Sequence, residues 1–185
     1  MSTSYPTPVY SHVGRGDFTD VYEPAEDTFL LMDALEKDAE TLQRSSCVSG
    51  SGQWFRSGVC ISGISDRTFS FISCTDLNPA AAQCTAKTSS CNRVSLQPVI
   101  TSLVGSRGIE AAWAGGRRGR EVTDRFLPVV AQLLSTEGSF YLITIAENDP
   151  EDIITALSLQ GLQGESFLSR RAGNERLSVL RFQRS

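Results

Sequence analysis

The stretch FISCTDLNPAAAQCTAKTSSCN, residues 71–92, decides how this chain is built. It opens as a strand that ends on Asp76, breaks at Asn78-Pro79, and continues as an alanine-rich run that reads as a short helix. VSLQPVITSLV (94–104) follows as a second strand, interrupted by Pro98. Proline cannot donate to a ladder, so this strand is expected at a sheet edge. Strand, helix and strand in that order describe a parallel unit of an α/β sheet.

The same alternation extends in both directions. Downstream, REVTDRFLPVVAQLLSTEG (120–138) reads as an amphipathic helix ending near Gly138, and GSFYLITIAEN (138–148) as a buried strand. DPEDIITALSLQG (149–161) is a helix with an acidic start and a terminal glycine. ESFLSRRAG and ERLSVLRF close the chain as a hairpin-like pair of strands. Upstream, residues 1–20 form an irregular arm, and EPAEDTFLLMDALEKDAETL (23–42) is helical. There Pro24 suits a first turn, Glu26 and Asp27 favour the N-terminal dipole, and Phe29, Leu30, Leu35 and Ala39 give an apolar face. The chain of 185 residues fits one α/β domain over 21–185 behind the arm, with an antiparallel pair at its end.

Two stretches lack any period. RSSCVSGSGQWFRSGVCISGISDRTFS (44–70) is rich in serine and glycine and reads as a loop, as does GSRGIEAAWAGGRRGR (105–120). The first contains Gly50-Ser51-Gly52, half of a cofactor-binding glycine turn without the strand and helix such a turn requires.

Composition narrows the function. Lys+Arg 17 against Asp+Glu 21 gives a net charge of −4, so no broad basic surface for nucleic acid is expected. No apolar run has the length of a signal peptide core or a membrane span, and the chain is expected in the cytoplasm or nucleus. Five cysteines, odd in number and without paired spacing, read as buried free thiols and not as a zinc site or a disulfide framework. His12 is the only histidine and has no identifiable partner in sequence, which argues against histidine-based nucleophilic catalysis.

Asp76 is the sharpest candidate for a ligand contact. An acidic residue at the carboxyl end of a strand can accept the hydroxyls of a ribose, and it can equally serve as a turn or capping residue before Pro79. VYEPAEDT is accounted for by ordinary helix-start chemistry, and Trp113 is either a stacking surface or part of a plain loop.

Six stretches resemble one family: HVGRGDFTDVYEPAEDTFLLMDAL, CTDLNPAAAQCT, CNRVSLQPVIT, GIEAAWAGGRRGREVTDRF, LLSTEGSFYLITIAEN and GLQGESFLSRRAGNERLSVLRF. They are similar to the eukaryotic HemK-type methyltransferases, release-factor glutamine methyltransferases that are also described as N6-adenine-specific DNA methyltransferases. The resemblance implies a seven-stranded Rossmann-like sheet of order 3-2-1-4-5-7-6 that binds S-adenosylmethionine, with strands one and four as its central neighbours. It implies methylation of the glutamine of a Gly-Gly-Gln loop in the translation termination factor, with histone lysine as a further acceptor. A small zinc-binding activator subunit is the implied partner, with the strand around Leu96–Thr101 as its contact. Thr28, Gly52, Asp76, Ser102 and Leu103 then fall at cofactor positions: Thr28 from the first helix, Asp76 on the ribose, Leu103 against the adenine.

Three departures bear on activity. Gly50 stands where the family has an acidic residue, and Ser102 where it has an aspartate for the adenine. Val104-Gly105-Ser106 runs directly into Arg107-Gly108-Ile109, where the family inserts its fourth strand and an Asn-Pro-Pro-Tyr motif. Residues 47–68, back-translated and read from the second base of each codon, permit Cys-Leu-Glu-Val-Gly-Ser-Gly-Ser-Gly-Val-Val-Ser-Ala-Phe. That text is the strand, glycine loop and helix expected at this place. Residues 44–70 are therefore read as an out-of-frame segment that scrambles central strand one, in a chain from which strand four is deleted. The genomic sequence across these codons decides that reading. The sequence thus describes a methyltransferase fold in a catalytically impaired form, or a non-catalytic form that competes for the activator subunit.

Overall fold

The computed structural model describes residues 5–44, 72–76, 78–100 and 120–184. They fall into two compact units, one of Met1–Gln43 with Ser51–Ser102 and one of Arg44–Gly50 with Leu103–Ser185.

In the first unit, α1 (Glu26–Lys37) and α2 (Ala39–Arg44) replace the single helix expected over 23–42. Pro24 lies ahead of α1 and Ala25 is its N-cap, without a side-chain acceptor. Asp27 Oδ1 supplies one instead, accepting the Thr28 N–H at 2.7 Å. Asp38 breaks the helix: its N–H closes α1 on Ala34 O, and its carbonyl accepts from Leu42 N at 3.0 Å to start the next turn. Aspartate is a poor interior helix residue, which the apolar spacing of the sequence does not register.

Strand β1 (Ile72–Asp76), helix α3 (Pro79–Asn92) and strand β2 (Leu96–Ile100) form the expected parallel unit, with Ile72 opposite Leu96 and Asp76 opposite Ile100. Pro98 sits opposite Cys74 on β2, which pairs with β1 alone among the described residues, so the proline meets the edge condition. Asn78 caps α3 by accepting from Ala80 N at 3.0 Å, and Pro79 occupies the first turn.

The stretch read as an N-terminal arm packs on α3. Val13 and Val21 are buried with Ala81 and Cys84, flanked by Tyr10 and Phe18. The Asn92 side chain accepts from Val9 N at 2.7 Å and donates to Val9 O at 2.9 Å, so it stands in for a neighbouring strand.

The second unit comprises α4 (Glu121–Leu133), β3 (Ser139–Ile145), α5 (Pro150–Ser158), β4 (Leu162–Ala172) and β5 (Glu175–Arg184). Its sheet has the order β3-β5-β4, with both pairings antiparallel. The last strand therefore inserts between its two predecessors, as the family resemblance implies. One face of the sheet carries Phe140, Leu142, Leu180 and Phe182 against Leu127 and Val130 of α4 and Ile153 and Leu157 of α5. Tyr141, Ile143, Leu177 and Val179 alternate with them and are also buried, as in a sheet covered on both faces.

Gly164 lies directly opposite Phe182, whose ring stacks on Phe140 with centroids 5.8 Å apart. A Cβ at Gly164 would stand 2.3 Å from Phe182 Cε1, and Phe182 is 0% exposed with no space into which to move. Overpacking of this kind costs about 1–3 kcal/mol. Gly164→Ala is therefore expected to lower the unfolding free energy by that amount in a urea titration. An unchanged midpoint would contradict the packing described here.

Candidate functional site

The carboxyl end of β1 is the place where an α/β sheet offers a ligand site, and Asp76 is its last residue. Parallel pairing to β2 orients that end, and the Asn78 cap turns the chain sharply away into α3. Asp76 Oδ1 accepts from Asn78 N at 2.7 Å, so the carboxylate performs the turn role as well as standing at the strand end. A carboxylate held there by a backbone N–H presents a fixed acceptor, the chemistry a pair of ribose hydroxyls needs.

Thr28 lies in the first turn of α1, in the same compact unit as Asp76, and its hydroxyl donates to Asp27 Oδ1 at 3.3 Å. Gly52, Ser102 and Leu103 lie outside the described residues, as do Gly50, Trp113 and all but Arg44 of the stretch 44–70 that the sequence reads as out of frame. The structure thus describes two of the five residues placed at cofactor positions.

His12 does have a partner. Its Nε2 is 3.0 Å from Thr88 Oγ1, and its ring meets Phe18 edge-on at 5.8 Å. Thr88 Oγ1 donates to Cys84 O at 3.0 Å, so it accepts from the histidine. The pair joins the N-terminal segment to α3 and offers no nucleophile. A separation of 76 residues hides it from any local pattern.

Arg120, just before α4, is the densest polar node of the second unit. It donates from Nε and one terminal nitrogen to Asp124 Oδ1 at 3.0 and 2.8 Å, and from the other to Asp152 at 2.6 Å and Asn148 O at 3.3 Å. Burial opposes its charge, but the bonds to Asp152 and Asp124 outweigh that and raise its pKa. Arg120 thereby ties the start of α4 to the start of α5. Among the described residues no group of three His, Cys, Asp or Glu could hold a metal, and no helix is long and apolar enough to cross a membrane.

Of the cysteines in the described residues, Cys84 is buried as expected, Cys74 is half-buried, and Cys91 is exposed. The exposure of Cys91 corrects the expectation of buried thiols. It lies in the last turn of α3, two residues past Ser89, the last buried position of the helix.

The first unit holds the parallel pair β1–β2 and the second the antiparallel order β3-β5-β4, so the chain is of mixed α/β class. A solved structure agrees: the chain in the E. cuniculi Mtq2-Trm112 complex, described as responsible for the methylation of the eRF1 translation termination factor, matches with a TM-score of 0.62. Its identity is 27%, over 90% of this chain and 99% of that one. The fold is therefore that of an α/β methyltransferase. Among curated proteins, Methyltransferase HEMK2 of Mus musculus is 50% identical over 98% of both chains. The eRF1 methyltransferase catalytic subunit mtq2 of Schizosaccharomyces pombe is 32% identical over 96% of this chain and 95% of its own. This chain belongs to the HEMK2/mtq2 methyltransferase family. No general protein-family model matches it. The alignment to the mouse protein runs over 212 positions while this chain has 185 residues, so at least 27 aligned positions have no residue here.

Burial pushes the Cys84 thiol up from 9.0 to about 11, with Thr88 opposing through a side-chain hydrogen bond. The folded chain then holds this proton more tightly than the unfolded one, so stability is full below pH 9 and falls as pH rises toward about 11. The difference in unfolding free energy between the wild type and Cys84→Ala, measured across that window, is expected to show this decline. A flat difference would contradict it.

Proposed function

We propose that this chain is the counterpart of an eRF1-directed methyltransferase subunit that works with a small activator subunit, in a form impaired in catalysis. The observation that carries the assignment is the 50% identity extending over 98% of both chains, since likeness at that level covers the whole domain and not a shared fold alone. The acceptor in this reading is the glutamine of a Gly-Gly-Gln loop, with histone lysine and DNA adenine as the alternatives. The cofactor is S-adenosylmethionine, which supplies the methyl group when bound. Asp76 fits it as a fixed acceptor at the carboxyl end of β1. Thr28, Gly52, Ser102 and Leu103 complete the set by position in the sequence.

Impairment is supported by the sequence around that set. Ser102 in place of a carboxylate withdraws a charge-assisted hydrogen bond from the adenine, a loss of roughly 1.5–3 kcal/mol. The Asn-Pro-Pro-Tyr motif, which would clamp the acceptor nitrogen toward the methyl, is missing from the sequence, and the longer alignment to the mouse protein is consistent with a deletion. Positioning contributes roughly 7–11 kcal/mol in well-oriented reactions, so its loss outweighs every other change.

A second reading has its own observation. Val99 and Ile100 are 43% and 58% exposed on β2, which pairs only with β1 among the described residues. A chain that keeps this strand can bind the activator without catalysing, and so compete for it.

Methyl transfer from S-adenosylmethionine to the termination factor, with the activator present, tests both readings. A chain repaired across residues 44–70 and in the missing segment is expected to methylate the factor. The natural chain is expected to give no product while still co-purifying with the activator. Product from the natural chain would overturn the impairment. Failure of the activator to co-purify would overturn the competing role.

A further inference from the structure

The hairpin of β4 and β5 projects past the sheet that holds it. Pairing of β3 with β5 ends at Ile145 opposite Leu177, while β4 and β5 continue through Arg171 opposite Arg176 and Ala172 opposite Glu175. Gly173, at φ 59°, begins the two-residue loop that closes them. The overhang therefore stands beyond the carboxyl end of β3, the side of an α/β sheet on which ligands bind.

Its chemistry is unusual for a hairpin tip. Arg170, Arg171 and Arg176 crowd it, all exposed. Arg171 and Arg176 face one another directly, and like charges in opposed cross-strand positions destabilise a sheet. Other arginines of this unit have internal partners: Arg120 has Asp124 and Asp152, Arg181 has Glu165, and Arg184 has the carbonyls of Leu134 and Ala131. Arg176 makes no hydrogen bond or ion pair among the described residues, and Arg171 makes one, from Nε to Gly173 O at 3.2 Å. Arg176 thus has no acceptor among the described residues and Arg171 only the carbonyl of Gly173, while their opposed charges carry a cost to the free chain.

We propose that this overhang is a docking surface for carboxylate side chains of the protein on which the family acts, with Arg171 and Arg176 as the contacts. The inference rests on the reading that the acceptor is a protein. Arginine forks match carboxylates in a bidentate geometry, and two of them suit a short acidic segment. A nucleic acid is the poorer fit, because two arginines at one hairpin tip span a short acidic segment and offer no extended basic surface to a phosphate backbone.

The test uses the full chain with a poly-glutamate peptide as probe, read by fluorescence anisotropy, beside Arg176→Glu and Arg176→Lys. The wild type is expected to bind the peptide, and more weakly as salt is added. Arg176→Glu is expected to weaken binding roughly tenfold or more, the equivalent of one charge-assisted hydrogen bond, and Arg176→Lys to retain part of it. Because Arg176→Glu turns a repelling pair into an attracting one, its thermal midpoint is expected to rise while binding falls. Unchanged binding in Arg176→Glu, or a fall in the midpoint together with binding, would overturn the proposal. So would tighter binding of poly-uridylate RNA than of poly-glutamate. None of these readouts depends on methyl transfer, so failure of this surface and failure of the assigned activity are distinguishable.

Discussion

Strand β5 is the element on which the second unit depends. It pairs with β3 on one side and β4 on the other, and its residues Leu177, Val179, Leu180 and Phe182 are buried to both faces. Each of those side chains contributes about 1.5–3 kcal/mol on burial. The ladder on both sides leaves its backbone groups no alternative partner. A strand that comes last in sequence thus fixes the two that precede it. The close approach of Gly164 and the stacking of Phe140 are consequences of seating Phe182 between them.

The first unit solves a different problem. Its βαβ segment is short, and α3 has a small-residue face in which Ala81, Ala82, Cys84 and Thr88 are buried. Such a face offers little apolar area of its own. The N-terminal segment supplies it, with Val13 and Val21 on Ala81 and Cys84, and with Asn92 and Thr88 holding the backbone at Val9 and the ring at His12. Asp76 at the end of β1 is positioned by this packing and by the Asn78 cap, not by contacts of its own strand alone.

Most of the elements were legible in the sequence because they carry a strong local signal. The Asn78-Pro79 break, the buried strand read over 138–148 and the acidic start and glycine end of 149–161 each correspond to an element in the structure. What could not be read was long-range or geometric. The Val9–Asn92 clamp spans 83 residues, and nothing in either segment marks the other as its partner. The break at Asp38 interrupts an apolar spacing that by itself describes one helix. The exposure of Cys91 depends on where α3 turns away from its unit. Of the candidate site, Asp76 was legible from its place at a strand end. Thr28, Gly52, Ser102 and Leu103 were reached through family resemblance, since cofactor contacts gathered from distant segments leave no periodicity behind.

The parallel pair that ends on Asp76 and the β3-β5-β4 sheet each pack within their own unit. The proposed impairment means that Thr28 and Asp76 do not hold the cofactor together. Amide hydrogen exchange of the full chain, with and without S-adenosylmethionine, reads this directly. The account predicts protection in β1, β3 and β5 that does not change on adding the cofactor. Protection that increases at both Thr28 and Asp76 when the cofactor is added would contradict it.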